Sequence, residues 1–227
     1  MNESVVYLQD CIEGMKQYPD KWFDLAVVDP PYFIASNQKR GVGSRLDRTG
    51  KMNDWNGKLP EKEYFDGLFR VSKNQIIWGA NNFEGLPRTE YFCLWDKKQT
   101  VPNFASFEYA WVSMGIGKPA KAFEYGIHKH NSTIDRIHPT EKPIPLYDWI
   151  FSNYATKGQK ILDTHGGSMS SVISALKNEM EITCFEIDKE YFDLAKKRIE
   201  NHFNQTNLFM EKPNIKFVEM IKKENKL

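Results

Sequence analysis

An α/β fold with a mostly parallel twisted sheet flanked by helices is the class this sequence predicts. Two observations carry it. Short apolar runs alternate with segments of helical periodicity along most of the chain. Residues able to do chemistry (Asp29, Asp163, Glu186) follow directly on such runs, at the strand C-terminal ends where open α/β sheets bind ligands. In chain order, strands are expected over 5–8 and 23–28, with a short helix over 12–18 between them. Residues 33–59 read as loop. Residues 61–71 read as a helix with Tyr64, Leu68 and Val71 on one face. Further strands are expected over 75–78, 91–95 and 107–112. Residues 115–136 are polar, with Gly, Lys and His, and read as a loop or small subdomain. A helix over 143–154, a strand over 160–162, a helix over 170–177, a strand over 182–185 and a helix over 189–203 follow. Phe192, Ala195 and Ile199 form the last helix's apolar stripe.

With 227 residues, 41% hydrophobic and 27% charged, the chain is most simply one domain, residues 1–227, with insertions at 33–60 and 115–137. No apolar stretch is long enough to span a membrane, and the opening Met1-Asn2-Glu3-Ser4 lacks a signal-peptide layout. Three cysteines at unrelated spacings make neither a disulfide framework nor a metal site, so a reducing cytoplasm is expected. Among the histidines, His128 and His130 lack the partners a metal needs. The net charge of +1 does not announce nucleic acid. Its distribution is more telling: Lys39, Arg40, Arg45, Arg48, Lys51 and Lys58 face only Asp47 and Asp54 across a glycine-containing stretch. Such a loop suits phosphate contact, and equally an ordinary solvated surface.

The sharpest feature is Asp29-Pro30-Pro31-Tyr32, placed after the apolar run Leu25-Ala26-Val27-Val28. An exocyclic amine of adenine or cytosine is a poor nucleophile, because its lone pair is delocalised into the ring. Two acceptors, one for each N–H, localise that lone pair. The Asp29 carboxylate and the Pro30 carbonyl are suitable, and proline's locked φ helps hold the second in place. Tyr32 offers a flat face on which a base can stack. The same four residues also make an ordinary turn.

Downstream, Lys160 to Ser168 reads as a strand entering a glycine turn (Gly166, Gly167) that opens a helix. This is a shape that lets backbone approach a ligand and favours an anionic group. Glu186 ends the next strand, where an acid can accept hydrogen bonds from ribose hydroxyls. An ordinary strand–turn–helix unit with a solvated acid has the same appearance.

Together these residues resemble the amino-directed DNA methyltransferases, which use S-adenosyl-L-methionine. Asp29-Pro30-Pro31-Tyr32 matches the catalytic motif, and Asp163 to Ser170 is similar to the cofactor motif D-P-F-x-G-S-G-T. Glu186 with Asp188, Tyr191, Ala195 and Arg198 resembles the ribose-binding motif and its helix. His138-Pro139-Thr140-Glu141-Lys142-Pro143 resembles the H-P-T-Q-K-P segment that cradles the cofactor's methionine end. Tyr7 to Cys11 resembles the opening strand, whose acid meets the cofactor's adenine amine. The catalytic motif precedes the cofactor motif, the permuted order of the β class, and Asp54-Trp55 adds a likeness to small phage-type adenine methyltransferases.

The resemblance implies a Rossmann-like methyltransferase fold and a flipped target base in double-stranded DNA. It also implies a setting in restriction–modification, in a bacterial or phage-infected cell. Asp29, Pro30, Pro31 and Tyr32 would be catalytic. Asp10, Cys11, His138, Thr140, Lys142, Asp163, His165, Gly166, Gly167, Ser168, Ser170 and Glu186 would hold the cofactor. Lys39, Arg40, Arg45, Arg48 and Lys51 would meet DNA, with no metal. Small β-class relatives often dimerise, so a homodimer is a further expectation. Adenine N6 is favoured by aspartate at the tetrad's first position, with cytosine N4 the alternative. Cytosine C5 chemistry is set aside: it needs a cysteine nucleophile, usually after a proline, and Asp10, Phe92 and Thr183 precede the three cysteines.

Three residues depart from the family pattern: Thr164 replaces Pro, His165 replaces Phe, and Met169 replaces a glycine. A residue other than glycine there is expected to crowd the ligand or to adopt φ > 0. A DNA-binding accessory subunit with an impaired cofactor site is the alternative that Met169 raises.

Overall fold

Nine strands and five helices form among the described residues. The strands are β1 (Ser4–Leu8), β2 (Phe23–Val28), β3 (Ser72–Trp78), β4 (Phe92–Asp96), β5 (Phe107–Val112), β6 (Lys121–Glu124), β7 (Lys160–Asp163), β8 (Glu181–Glu186) and β9 (Ile215–Glu219). The helices are α1 (Cys11–Met15), α2 (Lys62–Val71), α3 (Ile144–Tyr154), α4 (Ser170–Lys177) and α5 (Lys189–Thr206). A computed structural model describes residues 3–32, 59–102, 105–127, 137–138, 140–206 and 213–220.

One sheet runs β6-β4-β5-β3-β2-β7-β8-β1-β9. Only β5 is antiparallel to its neighbours, β3 and β4. Every other pairing is parallel. The expected mostly parallel sheet is therefore what forms. β2 shows why: all its residues except Asp24 are buried, as a strand covered on both faces must be. Its side chains alternate between two cores. Leu25 and Val27 join the residues of α3, α4 and α5, whereas Ala26 and Val28 join Met15, Tyr64, Leu68 and Val71. Pairing of β2 with β7 brings the strand that leads into Asp29 beside the strand that ends at Asp163.

Four expectations need correction. α1 stops at Met15 rather than 18, because the N–H groups of Gln17 and Tyr18 close three-residue turns onto Gly14 and Met15, and Pro19 follows. β3 begins at Ser72, directly on the end of α2, with no turn residue between. The segment 115–136 contains β6, a mostly exposed edge strand whose residues carry no apolar alternation. β9 was not expected at all. It pairs with β1 at the other edge, although Ile215 and Phe217 do show the alternation of a half-buried strand.

Met169 meets the expectation of a left-handed backbone. It precedes α4 at φ 54°, ψ 34°, and its side chain is fully buried in the core. Met169→Gly would relieve about 1–2 kcal/mol of left-handed strain but remove a buried side chain that stabilises by about 2–5 kcal/mol. The core wins: the variant is expected to melt roughly 5 °C lower in a thermal scan.

Candidate active site

The site is built at the C-terminal ends of β2, β7, β8 and β1. Beyond β2, Asp29 is held from one side. Its Oδ2 accepts from Lys142 Nζ at 2.5 Å, while Oδ1 is buried and has no hydrogen-bond partner among the described residues. Lys142, 4% exposed, also meets Glu108 Oε2 at 3.0 Å and lies over the Trp78 ring. Glu108 pairs in turn with Lys97. Burial opposes charge at Asp29, Glu108 and Lys142. It raises the Asp29 carboxyl, with Lys142 pulling the other way. At Glu108 burial is outweighed by Lys142 and Lys97, which hold the carboxyl at about 2. At Lys142 the two carboxylates outweigh burial and keep the ammonium charged.

Pro30 is buried; Pro31 and Tyr32 are partly exposed. The Tyr32 ring packs against Gly79 and makes an edge-to-face contact with Phe83. A Cβ on Gly79 would stand 2.4 Å from the ring, and Gly79 has φ 68°. Both facts require glycine there.

The glycine turn after β7 is tied from several sides. Asp163 Oδ1 accepts from His165 N at 3.0 Å, and Oδ2 from Ser171 Oγ at 2.5 Å. Burial raises the Asp163 carboxyl to about 6. Thr164 and His165 join Tyr64: the Tyr64 hydroxyl lies 2.8 Å from Thr164 Oγ1, which lies 2.9 Å from His165 Nδ1. Burial lowers the half-buried imidazole to about 4, so His165 is neutral at pH 7. Ser168 and Ser170 face one another at 3.2 Å.

Glu186, ending β8, accepts from Gly167 N at 2.6 Å and Asp188 N at 2.8 Å. Burial raises its carboxyl to about 7 despite those two donors. Gly167 has φ 49°, and a Cβ there would sit 3.4 Å from the His138 ring. His138 stacks edge-on against Tyr191 and lies 3.2 Å from Thr140 Oγ1. Beyond β1, Asp10 caps α1 by accepting from Ile12 N and Glu13 N. Burial, aided by Asp10, raises the Cys11 thiol to about 12, so it stays protonated.

The expected cofactor residues thus come together, except that the Lys142 ammonium sits on Asp29. Two residues outside the expected catalytic and cofactor-holding sets also take part. Arg198 donates to Ser168 O at 2.7 Å and pairs with Glu141 at 2.9 Å, clasping the glycine turn to the 138–143 segment. Glu108 was legible as an acid in an otherwise aromatic and apolar strand. The basic residues Lys39, Arg40, Arg45, Arg48 and Lys51, and His128 and His130, lie outside the described residues. No group of three or more potential metal ligands occurs among the described residues, and no helix there is long and apolar enough to cross a membrane.

These residues fit a nucleoside-bearing sulfonium cofactor. Each Glu186 oxygen holds one backbone N–H and keeps a further lone pair for a hydroxyl. The Met169 side chain is fully buried in the core and packs against the turn, with its Cγ 3.3 Å from where a Cβ on Gly166 would stand.

The architecture is shared with solved methyltransferases. M1.HpyAVI in complex with S-adenosylmethionine superposes with TM-score 0.57 at 19% identity, over 87% of this chain and all of that one. The cytosine-N4-specific PvuII DNA methyltransferase gives 0.55 at 14% identity, over 96% of each chain. The fold class is therefore that of the S-adenosylmethionine-dependent DNA methyltransferases. The particular family follows from sequence. Residues 73–197 match the DNA methylase family model, and the chain belongs to that family. Type II methyltransferase M2.MboI of Moraxella bovis is 22% identical, over 88% of this chain and 91% of its own length.

Proposed function

We propose that the chain methylates the N6 amine of adenine in double-stranded DNA, with S-adenosylmethionine as methyl donor. One observation carries the reading: a buried carboxylate oxygen without a hydrogen-bond partner among the described residues, Asp29 Oδ1, just beyond the strand that pairs with the one leading into the glycine turn. A base in a duplex cannot reach such a site, so the target is flipped out of the stack. Tyr32 stacks on it. Asp29 Oδ1 accepts one N–H of the amine and the Pro30 carbonyl the other, which directs the nitrogen lone pair toward the methyl group. Bound S-adenosylmethionine supplies that electrophilic methyl. Glu186 receives ribose hydroxyls, and Asp10 meets the adenine amine of the donor. Backbone at Gly166 and Gly167, with Cys11, Asp163, His165, Ser168 and Ser170, lines the rest of that pocket. His138 and Thr140 support its methionine end. The amine proton leaves to Asp29 or to water after transfer. Most of the acceleration comes from positioning and electrostatics.

Adenine is favoured by aspartate at the head of the tetrad. Lys39, Arg40, Arg45, Arg48 and Lys51 contact phosphate, and a homodimer extends the DNA surface. Nucleoside analysis and sequencing of DNA from cells expressing the chain test this together. N6-methyladenine at a defined site is expected. N4-methylcytosine overturns the choice of base, and unmodified DNA overturns the activity.

Gly79→Ala tests the stacking role separately. The added Cβ must displace the Tyr32 ring and accept a left-handed backbone. Loss of one base–aromatic stack should lower methyl transfer by about tenfold, and stability should fall by about 1 kcal/mol. Steady-state kinetics and a denaturant melt read the two effects.

A further inference from the structure

Lys142 does not have the surroundings of a ligand-binding lysine. Its ammonium is buried, and among the described residues its anionic contacts are two protein carboxylates, Asp29 Oδ2 at 2.5 Å and Glu108 Oε2 at 3.0 Å. The Trp78 ring lies beneath it, with Nζ 5.4 Å from the ring centroid. Beyond Glu108 stands Lys97, so four groups alternate in sign from β4 across β5 to the end of β2. A buried ammonium is tolerated only when paired in this way. Its neighbour in sequence, Glu141, ties the same segment to Arg198 and so to the glycine turn. The segment that carries the lysine is anchored from both ends of the site.

We propose that Lys142 is a positioning residue for methyl transfer: it grips one oxygen of Asp29, fixing the carboxylate plane so that the other oxygen faces the incoming amine. The proposal rests on the methyltransferase reading above. A carboxylate free to rotate, or one that takes up a proton, would lose the acceptor that localises the nitrogen lone pair. The balance of charge around Asp29 shows why the lysine matters. Burial and Glu108 push the Asp29 carboxyl up; Lys142 and Lys97 pull it down. From the other elements Asp163, Tyr64 and Tyr147 also face it, and none carries positive charge. Among the described residues Lys142 is the nearest cation and the strongest counterweight to burial.

The test is an infrared titration of the full chain with isotope-labelled aspartate, in which Asp29 is assigned by its loss in Asp29→Asn. Lys142→Met is expected to raise the Asp29 titration by at least about one pH unit, and Lys142→Arg to hold it near the wild-type value. Glu108→Gln removes an anion and is expected to lower it. That opposite sign stands even where Lys142→Met does not fold. The acid limb of the methyl-transfer pH profile should move with the titration, while cofactor affinity measured by calorimetry stays within about threefold. An Asp29 titration unmoved in both Lys142→Met and Glu108→Gln overturns the proposal. So does loss of cofactor affinity in Lys142→Met with the acid limb unmoved, which would return the lysine to the cofactor. Wild-type protein that leaves DNA unmethylated overturns the methyltransferase reading alone, because the titration needs no turnover.

Discussion

Asp29→Ala is expected to lower methyl transfer by about a thousandfold or more, because it removes the acceptor preorganised for the reacting amine. The protein should still fold and bind S-adenosylmethionine. Lys142 keeps Glu108 as a partner at 3.0 Å, so its buried charge is not stranded. The loss of one carboxylate also removes a group whose own burial opposes ionisation. The glycine turn is tied by Asp163, Glu186 and Arg198, none of which bonds to Asp29. Labelled-methyl transfer and calorimetry on the same preparation separate the two effects. Transfer near the wild-type rate in Asp29→Ala would remove Asp29 from the chemistry. Asp29→Asn is the sharper control. It keeps the shape and one carbonyl acceptor but no negative charge, so it should retain more activity than alanine while remaining far below wild type.

How much of this was legible in the sequence depends on where the information lies. The strand before Asp29 was readable because both its faces are buried, which leaves a nearly unbroken apolar run. The buried face of α2 was readable from Tyr64, Leu68 and Val71 at helical spacing. Edge strands were harder. β6 is mostly exposed and gives no hydrophobic period, so nothing local separates it from loop. β9 did alternate, and only its place beside β1 makes it part of the sheet. Within the site, residues tied to local backbone were visible: the tetrad, the glycine turn, and the acids at strand ends. Pairings across the chain were not. Lys142 and Asp29 are separated by 113 positions. Neither Gly79, under the Tyr32 ring, nor Arg198, on the carbonyl of Ser168, declares its partner in its own neighbourhood. Met169 was readable in one respect and opaque in another. Its backbone strain follows from replacing a glycine, but the escape of its side chain into the core depends on packing.

Glu186→Ala is expected to weaken S-adenosylmethionine binding by about a hundredfold, since a hydrogen bond to a charged group contributes about 1.5–3 kcal/mol and two ribose hydroxyls are served. The variant also frees Gly167 N and Asp188 N, the donors that now order the turn. Glu186→Gln separates these roles, because one amide oxygen can serve only part of the set while the volume is kept. The same carboxylate imposes a pH dependence. Burial lifts its folded pKa from 4.5 to about 7. The folded chain therefore binds more protons than the unfolded chain between those values. The stability contributed by this group is complete below about pH 4.5 and is lost as pH rises to about 7. Thermal melts of the cofactor-free protein should accordingly show a Glu186-dependent decline across that window, and Glu186→Gln should flatten it. S-adenosylmethionine should weaken the trend, because hydroxyl donors on the carboxylate favour its ionised form and lower its folded pKa. A Glu186→Gln protein whose melting temperature falls across the window as steeply as wild type would mean that some other group, Asp163 first, sets the dependence.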